Sequence, residues 1–248
     1  MLFRSWSGVR SCLRQGGHQH RQERSGGGRH RFQSGYACCF CCAEVMVKKK
    51  ENPNFIGVYK NAISKQECKL IIQYFEESQD KTPGVLYDMD YGAVVDESRK
   101  DSTDLILGWE EEVMPSYILD NALFKGAQQY REEYPGIDQI SPWGPDEFYN
   151  IQKYKPNQGF HKVHCESGNN GNPRVLAWMF YLNTVTDGGG TRFPEYDLDM
   201  KAEVGKLLIW PAYFTHVHHG IVSETQTKYI ATGWFVYADP PDQKLSQQ

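Results

Sequence analysis

Apolar side chains recur at helical spacing in two segments of the N-terminal half of the chain. Residues 68–78 carry an apolar face with a period of three to four residues, which predicts a helix. Ser64 and Glu67 stand three residues apart just before this run, which is the spacing of a capping box. A second helix is predicted over residues 115–134, because Pro135-Gly136 follows it as a strong stop signal.

The pattern changes to that of a β protein from residue 147 onward. Short aromatic and β-branched segments alternate with gaps rich in Gly, Pro, Asn and Asp, which is typical of a sandwich or barrel. The predicted strands cover residues 147–154, 174–183, 206–210 and 228–237, after two shorter apolar segments at 54–58 and 85–91. We therefore expect a mostly β fold, with supporting N-terminal helices and a β core at about 147–237. No breaker-rich linker separates the halves, so residues 51–240 are predicted to form one domain.

Charge divides the chain into a basic head and an acidic body. Residues 1–50 hold 10 Lys and Arg against 2 acids, a net charge of +8, while residues 51–248 hold 17 against 29, a net charge of −12. The head is too polar to offset its ordering entropy by burial, so we expect it to be disordered. Its composition is also that of a transit peptide, and if the head is one, a mitochondrial or plastid location is expected. If it is only an extension, a cytoplasmic location is expected. Residues 241–248 are interpreted as a tail.

These bulk properties argue against two classes of partner. Phosphate binding requires a concentrated basic face, and an acidic body lacks one, so no nucleic acid is expected. No stretch approaches the roughly 20 apolar residues of a membrane span. The expected partner is a peptide or small-molecule substrate, and the sequence indicates no oligomeric state.

The sharpest chemical feature is the tripeptide His164-Cys165-Glu166. On a strand, residues i and i+2 face the same side, so an imidazole and a carboxylate point together, about 6 to 7 Å apart. With a third ligand from a distant strand, they form the two-His, one-carboxylate face of non-haem Fe(II) oxygenases. The alternative is a polar strand edge that binds no metal.

A second group of polar residues lies near the C-terminus. Residues 210–220 contain His216, His218 and His219, of which His216 and His218 are predicted to share a strand face. Ten residues after His218, Lys228 begins a predicted strand that is otherwise apolar on the same side. A lysine that projects into the core needs an anion, because an unpaired buried ammonium is costly. The alternative is a lysine at a frayed strand end.

Five motifs stand in a fixed order along the C-terminal half. They are His164-x-Glu166, Arg174 followed by Tyr181-Leu182-Asn183, the segment from Gly188-Gly189-Gly190-Thr191 to Pro194, His218-x-Gly220, and Lys228-Tyr229. Their order and spacing resemble the prolyl 4-hydroxylase-like branch of the Fe(II)/2-oxoglutarate dioxygenases across residues 148–237. The resemblance implies a double-stranded β-helix, or jelly-roll, with a metal at one mouth.

The resemblance also implies a metal-ligand set. His164, Glu166 and His218 match the catalytic residues that bind iron in this family, although the family's usual carboxylate is Asp. Glutamate is also a hard oxygen ligand, and a retained carboxylate argues against the halogenating branch. The ten-residue interval to Lys228 selects His218 as the distal histidine, with His216 as the alternative.

Further positions match those that bind the co-substrate. Lys228 matches the basic residue that pairs with the distal carboxylate of 2-oxoglutarate, and Thr191 and Tyr154 match residues that help to hold that carboxylate. A lysine charge with two hydroxyl groups is a suitable environment for a buried carboxylate. Arg174 and Trp234 match positions near the substrate mouth.

The implied activity is hydroxylation of a C–H bond with decarboxylation of 2-oxoglutarate to succinate and CO2. Fe(II) is the expected metal, 2-oxoglutarate and O2 are the co-substrates, and L-ascorbate keeps the iron reduced. A peptidyl proline is the first substrate by analogy, and a free amino acid or another small molecule remains open. The competing hypothesis is a non-catalytic jelly-roll binding protein, in which Glu166 marks a degenerate iron site.

Overall fold

The structure is a computed structural model, and it describes residues 54–88, 92–167 and 174–238. The predicted disordered head at 1–50 and the predicted tail at 241–248 lie outside the described residues. The helices are α1 (Lys65–Glu77) and α2 (Met114–Glu133). The strands are β1 (Gly57–Tyr59), β2 (Thr82–Pro83), β3 (Leu86–Asp88), β4 (Gly92–Val94), β5 (Thr103–Gly108), β6 (Trp143–Tyr154), β7 (Arg174–Tyr181), β8 (Thr191–Phe193), β9 (Leu198–Met200), β10 (Leu207–Pro211), β11 (His219–Gly220) and β12 (Lys228–Tyr237).

Both helices form where the apolar periodicity predicts them. The Ser64 hydroxyl accepts a hydrogen bond from the Glu67 N–H, and the Glu67 carboxylate accepts one from the Ser64 N–H, so the capping box of α1 is confirmed. The α2 helix carries Pro115 in its first turn and ends just before Pro135. Both helices bury their apolar residues against one face of the large sheet.

Two sheets form the β core. The large sheet has seven strands in the order β1-β10-β7-β12-β6-β5-β2, and the small sheet has three in the order β11-β8-β9. All of these pairs are antiparallel. The mostly β prediction with supporting helices is confirmed, and this arrangement is that of the jelly-roll core.

The central strands are apolar on both faces because each face has a cover. In β7, Trp178 and Phe180 pack toward the helices, while Met179 and Tyr181 pack toward the small sheet. This double burial explains why β7 and β10 appear in the sequence as continuous apolar runs rather than alternating ones. A cavity of about 970 Å³ lies between the two sheets.

Some elements differ from the sequence prediction. The β5 strand was not predicted, because it is short and Asp104 interrupts its apolar pattern. The strand predicted at 147–154 begins earlier, at Trp143, and the one predicted at 85–91 is β3, with residues 89–91 outside the described part. Among the described helices, none is long and apolar enough to cross a membrane.

Candidate functional site

The side chains of His164, Glu166 and His218 meet at one end of the cavity. One ligand-type atom from each lies within 4.8 Å of the other two. The Glu166 Oε1 atom is 3.5 Å from His164 Nε2 and 3.4 Å from His218 Nε2. The structure therefore brings together the three residues predicted as metal ligands, and it turns one atom of each toward a common point.

Backbone hydrogen bonds hold the two histidine segments together. The His164 N–H donates to the His218 carbonyl at 3.0 Å, and the His218 N–H donates to the His164 carbonyl at 2.8 Å. This pair forms an isolated antiparallel bridge, not the extended strand predicted around His164. The Glu166 N–H donates to the Ala212 carbonyl at 3.0 Å, so the segment that carries His164 and Glu166 is also tied to the end of β10.

Each of the two histidines uses its Nδ1 atom away from the common point. His164 Nδ1 lies 2.8 Å from the Lys162 carbonyl, and His218 Nδ1 lies 3.0 Å from the His216 carbonyl. A carbonyl only accepts, so each Nδ1 carries a proton, and Nε2 is the ring nitrogen that faces the common point. The ring of Phe160 also stacks on His164, with centroids 3.7 Å apart.

The electrostatics of Glu166 match those of a ligand carboxylate. Burial alone would raise the pKa of this carboxyl, but hydrogen bonds and charge interactions with His164 and His218 outweigh burial and hold its pKa well below the ordinary value. The group is therefore an anion that faces two imidazole nitrogens, which is the donor set that Fe(II) accepts.

His216 does not belong to this cluster. It ends a 3-10 helix, Phe214–His216, so the prediction that it shares a strand face with His218 is wrong. Its Nε2 atom lies 2.8 Å from the Asn54 carbonyl and 3.2 Å from the Tyr196 hydroxyl, and its Nδ1 atom lies 2.9 Å from Thr215 Oγ1. Burial lowers the pKa of His216, which fits a neutral ring that anchors the start of the described chain.

Lys228 lies in the same cavity, and no carboxylate among the described residues pairs with it. Only 6% of the residue is exposed, and burial lowers the pKa of its ammonium to about 8. Its Nζ atom lies over the Tyr154 ring, 4.4 Å from the ring centroid. An ammonium buried in this way is costly unless an anion joins it, which indicates a site for a carboxylate.

Hydroxyl groups lie in the same wall of the cavity. Thr191 Oγ1 is 2.7 Å from the Tyr181 hydroxyl, which also lies 3.4 Å from the Met200 carbonyl. When Tyr181 donates to Thr191, the Thr191 proton is left for a further acceptor. Gly188 and Gly189, at φ values of 140° and 70°, turn the chain into β8 and so place Thr191. The Tyr154 hydroxyl donates to the Gln152 amide oxygen at 2.7 Å, so it donates to a carboxylate only if it gives up that bond.

Tyr181 is a residue that the sequence reasoning missed. It stands in the Tyr-Leu-Asn motif, but no role was assigned to it. It is fully buried and faces the small sheet, and burial raises its pKa, so its hydroxyl remains protonated. The available signal was strand parity, because position 181 is separated from 179 and 177 by two and four residues on the inner face of β7.

Arg174 and Trp234 line the cavity, as predicted for the substrate mouth, but they also contact Glu166. The Trp234 Nε1–H donates to Glu166 Oε2 at 2.8 Å. The Arg174 guanidinium stacks on the Trp234 ring at 3.4 Å from its centroid, and its NH1 atom lies 3.9 Å from Glu166 Oε2.

A buried polar network on β5 and β6 was also missed. The Lys100 ammonium pairs with the Asp104 carboxylate at 2.6 Å. The same carboxylate accepts from Ser102 at 2.8 Å, from Asn150 at 2.9 Å and from Gln152 at 3.4 Å. These residues come from two separated parts of the sequence, residues 100–104 and 150–152, so no local spacing could have indicated the whole network.

The residues present fit the metal and co-substrate that the resemblance implied. Two imidazole Nε2 atoms and one carboxylate oxygen form a suitable donor set for Fe(II) with room for further ligands. In the same cavity, the buried Lys228 ammonium and the hydroxyl group of Thr191 suit a carboxylate. A molecule that carries carboxylates at both ends, such as 2-oxoglutarate, matches both parts.

Comparison with protein families supports this assignment. Residues 149–236 match the sequence model of the 2OG-Fe(II) oxygenase superfamily. The matched segment, residues 149–236, is thus a 2OG-Fe(II) oxygenase segment, and the His164, Glu166 and His218 cluster that it contains suits the 2-oxoglutarate-dependent dioxygenases, which use Fe(II) and O2. A search of curated proteins finds no match.

Solved structures with this fold include several prolyl hydroxylases. A prolyl hydroxylase from Trichoplax adhaerens, in complex with a peptide fragment of the hypoxia inducible factor oxygen degradation domain, is 16% identical with a TM-score of 0.60, covering 79% of this chain and 89% of that one. A viral collagen prolyl hydroxylase from Paramecium Bursaria Chlorella virus-1, in its 2OG complex, is also 16% identical, with a TM-score of 0.55 and coverage of 75% and 97%. A prolyl-4-hydroxylase from Pseudomonas putida is 13% identical, with a TM-score of 0.55 and coverage of 75% and 94%. The fold is therefore prolyl hydroxylase-like.

Proposed function

We propose that this protein hydroxylates a C–H bond of a peptide substrate, with conversion of 2-oxoglutarate to succinate and CO2. The observation that carries the proposal is the buried Lys228 ammonium, which pairs with no carboxylate of the described part of the chain and lies in the same cavity as the His164, Glu166 and His218 cluster. Burying an ammonium is costly unless a carboxylate pairs with it, and a protein that binds only a metal needs no such cation.

Each group of residues has a role in this proposal. His164, Glu166 and His218 hold Fe(II), which supplies the oxidising chemistry when O2 and 2-oxoglutarate are bound. Lys228 binds the distal carboxylate, with the hydroxyl groups of Thr191 and Tyr154 beside it. Lys228 is only 6% exposed, so little water competes for its charge, which strengthens its pairing with the carboxylate.

The substrate end of the cavity supports an extended peptide. Ile106 and Phe148, each 54% exposed, and Val163, 49% exposed, line the cavity opening and offer apolar contacts at the surface. The Trichoplax adhaerens structure holds a peptide fragment on the same fold. A prolyl residue is the substrate that we propose first, by analogy with the prolyl hydroxylases that share this fold.

The test is turnover of labelled 2-oxoglutarate by the purified full chain with Fe(II) and ascorbate. We expect release of labelled CO2 and formation of succinate, which increase when a proline-containing peptide substrate is added. Lys228→Met should lose this turnover. Lys153→Met is the matched control, because Lys153 pairs with Glu76 away from the cavity and should keep it.

Two results would contradict the proposal. Absence of turnover together with absence of Fe(II) binding by calorimetry would favour the non-catalytic jelly-roll. Turnover that is unaffected by Lys228→Met would mean that the co-substrate lies elsewhere.

A further inference from the structure

The two oxygens of the Glu166 carboxylate face different partners. Oε1 lies 3.5 Å from His164 Nε2 and 3.4 Å from His218 Nε2. Oε2 accepts the hydrogen bond from the Trp234 indole N–H at 2.8 Å and lies 3.9 Å from Arg174 NH1. One oxygen is thus directed at the metal-binding point, and the other is held away from it.

Trp234 is itself fixed in place. It stands where the pairing of β12 with β6 shifts register between Gly233 and Phe235, and an irregularity of this kind re-aims a side chain relative to its strand. The Arg174 guanidinium covers its ring at 3.4 Å from the centroid, and Arg174 NH1 also donates to the Glu166 backbone carbonyl at 3.3 Å. The indole N–H therefore meets Glu166 from a preset direction.

Because glutamate is longer than aspartate, the hydrogen bond from Trp234 bears on how the Glu166 carboxylate can bind a metal. Carboxylates bind metals through one oxygen or through both, and a glutamate has the freedom to rotate its second oxygen toward the ion. A two-His, one-carboxylate face leaves three octahedral positions only if the carboxylate contributes one oxygen. Chelation by both oxygens of Glu166 would remove one of those positions.

We propose that Trp234 is a positioning residue that restricts Glu166 to one coordinating oxygen, so that 2-oxoglutarate and O2 both find open positions. This inference rests on the proposed function. Arg174 supports the same geometry by holding the indole ring. The departure from the family's aspartate is thus accompanied by a hydrogen bond that restrains the longer side chain.

The test is Trp234→Phe, which removes the N–H but keeps an aromatic ring beneath Arg174. Binding of Fe(II), and then of 2-oxoglutarate to the Fe(II)-loaded protein, is measured without O2 by calorimetry and by the visible charge-transfer absorption of the complex. We expect Fe(II) affinity to stay equal or to increase, and the Kd for 2-oxoglutarate to rise at least about tenfold, the equivalent of one hydrogen bond to a charged group.

Trp109→Phe is the matched control. Trp109 packs against Tyr149 and Trp178 on the helix side of the large sheet, and its Nε1 atom has no hydrogen-bond partner among the described residues. Its replacement removes an indole N–H without touching Glu166 or the metal-binding cluster, so 2-oxoglutarate affinity should not change. Arg174→Met is a second test variant, and it should shift 2-oxoglutarate affinity in the same direction as Trp234→Phe, by a smaller factor.

The pattern of binding separates the two proposals. If the wild-type chain binds neither Fe(II) nor 2-oxoglutarate, the proposed function fails, and this inference fails with it. If the wild type binds both, but Trp234→Phe weakens Fe(II) and 2-oxoglutarate equally, or changes neither, only the role of Trp234 is overturned. Loss of Fe(II) affinity with unchanged 2-oxoglutarate affinity would also overturn it.

Discussion

Two buried lysines line the same cavity and differ in what meets their ammonium groups. Lys100 is 5% exposed and pairs with Asp104 at 2.6 Å, while Lys228 is 6% exposed and, among the described residues, pairs with no carboxylate. Equal burial thus serves opposite purposes. A buried charge with an internal partner holds the wall of the cavity, and a buried charge without one makes a place for a ligand.

The same contrast separates the two buried histidines near the end of β10. His216 bonds through both ring nitrogens to the protein, whereas the Nε2 atom of His218 faces only Glu166 and the cavity. Each comparison can be tested by replacing one residue of the pair. The measured quantities are the affinity for Fe(II) or 2-oxoglutarate and the stability of the folded chain.

The largest effect is expected for His218→Ala, which removes one of three ligand atoms. Fe(II) affinity should fall by more than about a hundredfold, because even the outer partners of metal ligands are worth 10- to 100-fold. His216→Ala should keep Fe(II) binding and lower thermal stability instead. Calorimetry with Fe(II) distinguishes the two, and the reverse result would reassign the distal ligand.

A large loss of stability is expected for Asp104→Asn. The change leaves the Lys100 charge buried without its partner, and breaking a buried pair in this way costs about 3–5 kcal/mol. Glu76→Gln is the control, because its pair with Lys153 is partly exposed and is worth under about 1 kcal/mol. Urea unfolding measures the free energy of unfolding of both variants. Equal losses would show that the buried Lys100–Asp104 pair contributes no more to stability than the Lys153–Glu76 pair.

Lys228→Met should affect binding and spare stability. The Kd for 2-oxoglutarate is expected to rise about ten- to hundredfold, since hydrogen bonds to charged groups contribute roughly 1.5–3 kcal/mol. Fe(II) affinity should stay unchanged, and the free energy of unfolding should not fall, because the variant no longer buries an uncompensated charge. A parallel loss of Fe(II) affinity would contradict the role assigned to Lys228.

The smallest effect is a pH dependence of 2-oxoglutarate binding. Burial lowers the pKa of Lys228 from 10.5 to about 8, so the ligand-free lysine loses its charge as pH rises through 8. Affinity should be constant below this pH and should fall by up to about tenfold per pH unit above it. Lys228→Arg, which stays charged, should bind with a flat profile; a wild-type profile that is equally flat would refute the titration.

The sign for stability is the opposite of that for binding. The folded chain disfavours the charged form of Lys228, so the contribution of this residue to the free energy of unfolding is largest above 10.5 and is lost as pH falls toward 8. Added 2-oxoglutarate should restore stability below pH 8, because it supplies the missing anion.

Local signals predicted a large part of this molecule. The capping box at Ser64 and the stop at Pro135 define α1 and α2, and the aromatic segments gave β6, β7, β10 and β12. The parity of Lys228 with Trp234 correctly placed both on the cavity side of β12. These features depend on residues that are neighbours in the sequence.

What could not be predicted depends on contacts between distant segments. The Asp104 network joins residues almost 50 positions apart, and the bond from Trp234 to Glu166 spans 68 positions. The sequence indicated that Trp234 lies near the mouth, but only the folded chain shows which oxygen it meets. Similarly, His216 was assigned to a strand because periodicity does not distinguish a strand from a single 3-10 turn.

The backbone bridge between His164 and His218 has a consequence for redesign. Its two hydrogen bonds run between main-chain atoms, so they remain when either side chain is replaced. The frame that presents the ligands is therefore independent of which ligands it presents. An engineer can exchange imidazole for thiolate or carboxylate at these two positions, and select for a different metal, on a chain path that is already set.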